Sequence, residues 1–416
     1  MHILFTTQPG SSHFFSLAPL AKSLRERGHD VRFATAASFC PSIEASGFQT
    51  FPSGLDYLES EIERAFPQVR GLSIGEIDEF IVQRVMWDLA LEPMVIDLLR
   101  VCETFRPAVI VRDSTEAAGC LAAEVAGVPH AAFTTLGFHL EPGNIIESGK
   151  ARLHGLRARF GLGPDPGLEM LYRYLLLVAL PPGWVSGSAA LPTTAHWIQP
   201  PVFDAPKGEQ LPDWVNTLPG LPTVYASLGT VYNRWGVSVL RRIIEAAQNE
   251  PVNLIATIGK GQDPATFGPV SPNVYLVPFI PQSLLMPRCS LVINHGGIGT
   301  TIKSLSFGVP VVILPLGADQ PIVAARVEEL RAGLRVLGSA PRETFCGSAV
   351  DPERLTAAEV LDAIETILND AAYRIAAQGL QREIAEMPRP DRAAELIEDL
   401  VDRHQPITAR ATPSSS

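Results

Sequence analysis

The sequence lacks a long hydrophobic run. No stretch of about 18 consecutive apolar residues occurs, so we expect no membrane-spanning helix. Cysteines are also scarce: the five are scattered and form no Cys-x-x-Cys pair, which favours reduced core residues over disulfides or a zinc site. Met1 is not followed by a basic, apolar leader, so no signal peptide is expected either. Together these features predict a cytoplasmic protein.

Basic residues are in deficit, with 33 Lys and Arg against 44 Asp and Glu, giving a net charge of −11. A general nucleic-acid binder would show a basic face, so nucleic acid is not an expected partner. No Asp-x-Asp motif occurs, and the histidines show no clustered ligand spacing. We therefore expect no metal and no other cofactor.

What the sequence does contain is a regular alternation of short apolar runs with helical periods. At 416 residues it is too long for one hydrophobic core. Each half shows its own strand–helix alternation, which predicts an α/β protein with two Rossmann-like domains. The predicted strands are His2–Thr7, Asp30–Thr35, Pro107–Arg112, Val128–Phe133, Pro222–Ser227, Val252–Ile258, Ser290–Asn294 and Val309–Leu314.

Prolines at 200, 201 and 206 favour a linker between the two halves. We predict an N-terminal domain over residues 1–200, a linker over 201–207 and a second domain over 208–387. The amphipathic segment 388–405 is expected to form a helix that packs back on the N-terminal domain. Residues 406–416 are expected to be a disordered tail.

The most informative stretch runs from Asn294 to Thr301, with the sequence Asn-His-Gly-Gly-Ile-Gly-Thr-Thr. It follows a predicted strand and opens a helix, where backbone N–H groups lack partners and the helix dipole is positive. Small residues let an anion approach that backbone, and His295 adds a side-chain donor. The stretch therefore predicts a diphosphate site.

Other interpretations of this turn stay open. A glycine-rich turn can serve tight packing alone. A Walker loop is excluded because Gly-Lys-Ser/Thr is absent. A dinucleotide fingerprint would need a third glycine where Ile302 stands, although Asp319 follows at about the distance of the ribose-binding acid, so a nicotinamide enzyme is a weaker alternative.

Three further motifs accompany this turn in a fixed order: Ser227–Thr230, Phe279–Gln282 and Pro315–Gln320. With them the chain resembles the UDP-glycosyltransferase superfamily (glycosyltransferase family 1), and most closely in pattern its bacterial members that glycosylate antibiotics and other natural products. The resemblance implies the GT-B fold, two Rossmann-like domains facing each other across a cleft. It also implies a nucleotide-sugar donor, a small-molecule acceptor, and a monomer or homodimer.

The resemblance also assigns donor-binding roles. It implies that the diphosphate is held near His295, that Ile280 and Gln282 border the nucleobase, and that Asp319 and Gln320 bind sugar hydroxyls. For Asp319 a plain helix N-cap is the alternative. The donor-binding residues expected on this basis are Ser227, Thr230, Ile280, Gln282, His295, Gly296, Gly297, Gly299, Thr300, Asp319 and Gln320.

One position departs from the family. Plant members carry a glutamate for the ribose hydroxyls eight residues after the signature histidine, and this chain has Lys303 there. The contact from a carboxylate to a ribose diol is therefore absent. A deoxyribose donor such as a dTDP-sugar, which lacks the 2′-hydroxyl, is compatible with that change, and a UDP-sugar remains open.

Transfer to a hydroxyl needs a base, and His13, at the start of the first predicted helix, is the candidate. Asp113 follows a strand at the carboxyl edge of the sheet, where it can orient an imidazole and stabilise its charged form. Family members use such a His–Asp pair. We therefore expect direct displacement at the anomeric carbon with inversion. A non-catalytic auxiliary protein and another GT-B enzyme, such as a nucleotide-sugar epimerase, are the alternatives.

The acceptor site is the least defined prediction. Apolar residues of the first half could line a pocket for an aromatic or polyketide acceptor, although each is equally a core residue. The acceptor-binding candidates are Phe14, Phe80, Trp87 and Phe138, with Phe15, Phe39, Tyr57, Met86 and Met170 as further possibilities.

Overall fold

The computed structural model describes residues 1–134, 145–185, 191–201, 210–229, 236–259, 262–344 and 346–409. The chain divides into two compact units. The first comprises Met1–Gly71, Glu79–Pro201 and Met387–Ser416, and the second comprises Leu72–Asp78 and Val202–Glu386.

The sheet of the first unit is parallel throughout its seven described strands, in the order β3-β2-β1-β4-β5-β6-β7. Helices cover both faces of such a sheet, so its central strands are almost wholly buried. The strands are β1 (His2–Thr6), β2 (Asp30–Thr35), β3 (Gln49–Pro52), β4 (Val109–Asp113), β5 (His130–Phe133), β6 (Leu175–Val178) and β7 (Ala195–Trp197).

The helices of this unit pack on that sheet through regularly spaced apolar residues. A π-helical stretch, Ile81–Ala90, leads into α5. The helices are α1 (Ser11–Glu26), α2 (Cys40–Glu44), α3 (Ile62–Ala65), α5 (Leu91–Phe105), α6 (Ala118–Ala126), α7 (Ile145–Arg159) and α14 (Pro390–Arg403), and α4 (Ile74–Phe80) begins in the other unit.

The C-terminal helix α14 belongs to the first unit and packs against α1. Its buried apolar residues share one core with Phe5, Phe14 and Phe33. Glu398 on α14 accepts hydrogen bonds from Arg27 and His29, and the Arg27 guanidinium in particular lowers the pKa of Glu398 to about 2. The helix is thus attached by both apolar and charged contacts.

The second unit has a parallel sheet of six described strands in the order β10-β9-β8-β11-β12-β13, and a separate antiparallel pair, β14 with β15. The strands are β8 (Thr223–Ser227), β9 (Asn253–Thr257), β10 (Val274–Val277), β11 (Leu291–Asn294), β12 (Val311–Ile313), β13 (Gly333–Arg335), β14 (Arg342–Thr344) and β15 (Gly347–Ala349).

Helices of the second unit alternate with these strands. The start of α12 is fixed by a capping box, in which Thr356 and Glu359 bond to each other's backbone N–H groups. The helices are α8 (Val237–Ala247), α9 (Gln282–Leu285), α10 (Ile298–Ser306), α11 (Gln320–Glu329), α12 (Ala357–Asn369) and α13 (Ala371–Glu386). Two parallel Rossmann-like sheets with helices confirm the predicted fold class.

Several details differ from the sequence prediction. Leu72–Asp78 belongs to the second unit, where Asp78 accepts a hydrogen bond from the Ala318 N–H at 2.9 Å. The sequence prediction does not include strands β3, β6, β7, β10, β13, β14 and β15. Of the predicted tail, residues 406–409 are ordered, because Ile407 is buried and its N–H donates to the Tyr174 carbonyl at 2.9 Å.

Other predicted segments lie outside the described residues: the linker beyond Pro201 and the tail beyond residue 409. Within the ranges that the structure describes, no helix is both long and apolar enough to cross a membrane.

Candidate functional site

His13 lies in the first turn of α1, directly after the loop that leaves β1. Its Nδ1 is paired with the Asp113 carboxylate, and both side chains are buried. Asp113 is the last residue of β4, which is the neighbour of β1 in the sheet. Because carboxyl ends of parallel strands share one edge, this register brings the two predicted residues together.

The Asp113 carboxylate is held from its other side. Its Oδ1 accepts hydrogen bonds from the Thr115 N–H at 2.8 Å and from the Thr115 hydroxyl at 2.9 Å. The buried guanidinium of Arg112 donates to the carbonyls of Asp113, Ser114 and Glu116. The loop that carries Asp113 is therefore rigidly positioned. Neither Thr115 nor Arg112 is among the residues predicted from the sequence.

A second carboxylate, Glu59, faces the other ring nitrogen of His13, with 3.5 Å between Nε2 and Oε1. Burial raises the pKa of Glu59, the charge of His13 opposes that change, and the charge of Asp113 adds to it. No periodicity or motif marks Glu59 in the sequence, because it lies in the irregular segment between β3 and α3.

A small cavity of about 40 Å³ lies beside this cluster. Thr115, whose hydroxyl is 3.5 Å from His13 Nδ1, lines both the cavity and the cluster. Most of the wall is apolar. Its lining includes Tyr57, Met86, Trp87, Leu91 and Met94.

Some of the acceptor candidates line the cavity, and others lie in the hydrophobic core. Trp87, Tyr57 and Met86 line the cavity. Phe14 does not: its ring is buried in the core against Phe33, Phe39 and Phe48, because α1 turns that face toward the sheet. None of the remaining candidates that the structure describes lines the cavity. Phe80 packs on Phe66, Met170 is buried, Phe15 is exposed, and Phe138 lies outside the described residues.

The predicted phosphate turn joins β11 to α10 in the second unit. Buried Asn294 organises it, since its Oδ1 accepts from the Gly296 N–H at 2.6 Å and from the Thr301 hydroxyl at 3.2 Å. Gly297 is the N-cap, so the cap residue itself places no side chain over the first turn of the helix. A Cβ added at Gly299 would meet nothing within 4 Å. The helix start is accordingly open, as an anion site requires.

His295 is packed between two glycines of this unit. A Cβ at Gly229 or at Gly297 would come within 3 Å of the His295 ring, and Gly229 has a φ of +74° that favours glycine. Burial lowers the pKa of His295 to about 4, although a hydrogen bond to the Ser227 backbone opposes the change. The imidazole is therefore neutral at pH 7.

This low pKa makes the stability of the protein depend on pH. In the unfolded chain His295 is protonated below about pH 6.5, whereas in the folded chain it is protonated only below about pH 4. The free energy of unfolding therefore falls as the pH falls from about 6.5 to about 4. Without ligand, His295→Gln should reduce the loss of unfolding free energy between pH 7.5 and pH 5 by about 2 kcal/mol. Urea unfolding at both pH values measures the free energy of unfolding of each protein. Equal losses of this free energy in the wild type and in His295→Gln would contradict the prediction.

The predicted base-binding segment buries one of its two neighbouring apolar side chains and exposes the other. Ile280 is only 1% exposed and packs in the core, so its side chain is not available to a nucleobase, whereas Phe279 beside it is 45% exposed. Gln282 donates to the Tyr225 hydroxyl at 3.1 Å and accepts from Lys303 at 3.3 Å. Lys303, the residue at which this chain departs from the family pattern, thus lies in the same polar cluster as Gln282.

Asp319 and Gln320 stand at the start of α11. Asp319 occupies the N-cap position, but its side chain makes no capping hydrogen bond, so the alternative interpretation of a simple cap does not hold. Gln320 is buried, and its Oε1 accepts from the N–H groups of Leu316 and Gly317, which fixes the turn before the helix. Thr230, beyond Ser227 at the end of β8, lies outside the described residues. In the described part of the chain, no group of three or more His, Cys, Asp and Glu could hold a metal ion.

Comparison with known proteins gives consistent matches. Residues 241–401 match the C-terminal domain family described as erythromycin biosynthesis protein CIII-like. The chain is 27% identical to 4′-demethylrebeccamycin synthase of Lentzea aerocolonigenes, covering 96% of this chain and 99% of that protein. It is also 27% identical to 10-deoxymethynolide desosaminyltransferase of Streptomyces venezuelae, covering 99% and 100%.

A solved structure shares the fold. The glycosyltransferase VinC in complex with dTDP superposes with a TM-score of 0.76 at 24% identity, covering 97% of this chain and 100% of that one. Both α/β units therefore have counterparts in this solved structure. The chain therefore has the GT-B fold of its structural neighbours, and over nearly its whole length it is similar to bacterial sugar transferases of antibiotic biosynthesis such as 10-deoxymethynolide desosaminyltransferase.

Proposed function

We propose that the protein transfers a sugar, or a deoxysugar, from a dTDP-sugar to a hydroxyl group of an apolar natural-product aglycone, with inversion at the anomeric carbon. The observation that carries this proposal is the buried pair of His13 and Asp113 beside a largely apolar cavity. An auxiliary protein without catalysis would have no use for such a pair.

In the proposed reaction His13 takes the proton of the acceptor hydroxyl at Nε2. Asp113 accepts the Nδ1–H, which fixes the tautomer and stabilises the imidazolium as it forms. The acceptor oxygen then attacks the anomeric carbon, and the bond from that carbon to the diphosphate breaks. This chemistry needs a positioned base and an activated leaving group, and we propose that it needs no metal.

The leaving diphosphate would be stabilised at the start of α10. The N–H groups of the first helical turn and the His295 ring would meet the negative charge as it develops on the leaving group. Asn294 keeps the turn in shape through its bonds to Gly296 and Thr301. Asp319 would bind sugar hydroxyls, and Gln320 would support it by fixing the preceding turn.

For the acceptor we propose the cavity beside His13. The indole N–H of Trp87 is buried and has no hydrogen-bond partner among the residues that the structure describes. A buried donor without a partner costs free energy, so a ligand oxygen that accepts from it would be favoured. An apolar aglycone with a carbonyl or ether oxygen would match the chemistry of that wall.

The nucleotide preference is testable through Lys303. Because a lysine stands where a carboxylate would bind the ribose diol, dTDP should bind at least as tightly as UDP. Lys303→Glu should shift the ratio of the two affinities toward UDP by about tenfold, the size expected of one charge-assisted hydrogen bond. Calorimetric titration with both nucleotides measures the ratio, and a strong UDP preference in the wild-type protein would refute the idea.

The function itself is tested by incubating the purified protein and EDTA with dTDP-glucose and a panel of phenolic and macrolide aglycones. Mass spectrometry should show the aglycone plus one hexose, and NMR should show the inverted anomeric configuration. An epimerised nucleotide sugar without any glycoside would favour the alternative GT-B enzyme. Failure in EDTA that added Mg²⁺ restores would contradict metal independence. A cytoplasmic location stays a prediction.

A further inference from the structure

Glu59 is held against the ring of His13 by its own backbone as well as by its charge. Its N–H donates to the Pro9 carbonyl at 3.3 Å, which ties the Glu59 segment to the turn before α1. From there Oε1 lies 3.5 Å from Nε2, on the side of the ring opposite Asp113. The imidazole therefore lies between two carboxylates.

Hydrogen-bond chemistry limits what this arrangement can hold. A neutral imidazole that donates its Nδ1–H to Asp113 presents a lone pair at Nε2. A carboxylate oxygen facing that lone pair is repelled unless a proton lies between the two atoms. One proton must therefore reside on Nε2 or on Glu59, and it has to leave Nε2 before His13 can act as a base.

Exposure gives the direction in which that proton can leave. The Asp113 side chain is 0% exposed, that of His13 is 7% exposed and that of Glu59 is 19% exposed. Of the three groups, Glu59 is thus the one with the best access to water. Burial raises the pKa of Glu59, so it can carry the proton at a pH where a surface glutamate would not.

We infer that Glu59 is the proton-exchange partner of His13, the group through which the proton taken from the acceptor leaves the site. This inference rests on the proposed function. During transfer the acceptor O–H bond breaks and the Nε2–H bond forms, with Glu59 yielding its place to the hydroxyl. After the product leaves, Glu59 returns, the Nε2–H bond breaks, a carboxyl O–H bond forms, and water takes the proton.

Other titratable groups near the pair are accounted for. Asp113 faces Nδ1 of His13, and Tyr57 lies close enough for the charges of Glu59, Glu116 and Asp113 to act on it. Burial and the nearby carboxylates raise the pKa of Tyr57 well above 10, so it stays neutral. Glu116 is bonded to Thr6 and to the backbone of Ala118 and Gly119, so it is engaged elsewhere.

The test uses the full-length protein without ligand. Long-range ¹H–¹⁵N NMR of labelled histidines, with the His13 signals assigned by their loss in His13→Gln, follows the protonation of Nε2 with pH. Glu59→Gln should lower the His13 midpoint by about one pH unit or more, the effect of removing a neighbouring opposite charge. Glu59→Asp, which withdraws the carboxylate, should lower it by less.

Glu61→Gln is the matched control, since Glu61 lies in the same 3-10 turn but is exposed and paired with Arg64. It should leave the His13 midpoint unchanged. A midpoint that is the same in wild type, Glu59→Gln and Glu59→Asp would overturn the inference. Exchange of the Nε2 proton with water should also slow in Glu59→Gln, and an unchanged exchange rate would refute the exit route.

These readouts need no substrate, so their failure is separate from failure of the proposed function. If His13→Gln still transferred sugar, the proposed role of His13 would fail, whatever the NMR titration gave. If His13→Gln were inactive and the Glu59 variants left His13 unaffected, only the inference about Glu59 would fail.

Discussion

Replacing His13 with glutamine should lower kcat for sugar transfer by about 1,000-fold or more, within the range that general-base catalysis contributes. The buried Asp113 carboxylate would then face an amide that can hydrogen bond but cannot take a proton from the acceptor hydroxyl at neutral pH. The variant should bind dTDP like the wild type, because His13 and the phosphate turn lie in different units.

Two measurements separate this role from a structural one. Steady-state kinetics gives the fall in kcat, and calorimetry gives the dTDP affinity of the same preparation. Asp113→Asn tests the residue that orients His13. This variant should keep the shape of the side chain, reduce kcat, and disturb the tautomer of His13. Retained turnover in His13→Gln, or a parallel loss of dTDP affinity, would argue against His13 as the base.

His295→Ala should weaken dTDP binding by about 10- to 100-fold, which corresponds to the loss of one hydrogen bond to a charged group. The ring of His295 fills the space between Gly229 and Gly297, so the substitution also leaves the turn less well defined. His404→Asn is a suitable control, because His404 is exposed and has the left-handed φ of 51° that asparagine tolerates.

The low pKa of His295 provides a second readout on the wild-type protein. The free protein holds this imidazole neutral, with its pKa lowered to about 4, and a bound diphosphate would stabilise the charged form. Binding of dTDP near pH 5 should therefore take up protons. Calorimetry in buffers of different ionisation enthalpy measures the uptake, which should disappear in His295→Ala. Unchanged affinity in that variant would refute the role of His295.

The fold and the position of the donor turn could be predicted from the sequence, because both depend on local patterns. The run from Leu291 to Asn294 is apolar and short, and the glycines after it can only open a turn. The pairing of His13 with Asp113 could also be predicted from the sequence. Both residues follow strands, and neighbouring parallel strands place their carboxyl ends together.

What the sequence could not give depends on contacts between distant, irregular segments. Glu59 reaches His13 from a 3-10 turn that has no periodicity. Asp78 reaches Ala318 across 240 positions of the chain. Burial of the Ile280 side chain was not readable from its motif either, because a motif gives the order of residues but not the direction in which each side chain points.

The most direct measurement of the central claim is the response of the backbone amides to dTDP. In the proposed function the diphosphate docks on the N–H groups at the start of α10, next to His295. In ¹H–¹⁵N spectra of the full-length protein, the amides of Gly297, Ile298, Gly299 and Thr300 should show the largest shifts on titration with dTDP. Saturating dTDP that leaves these four amides unmoved and shifts another region instead would contradict the account.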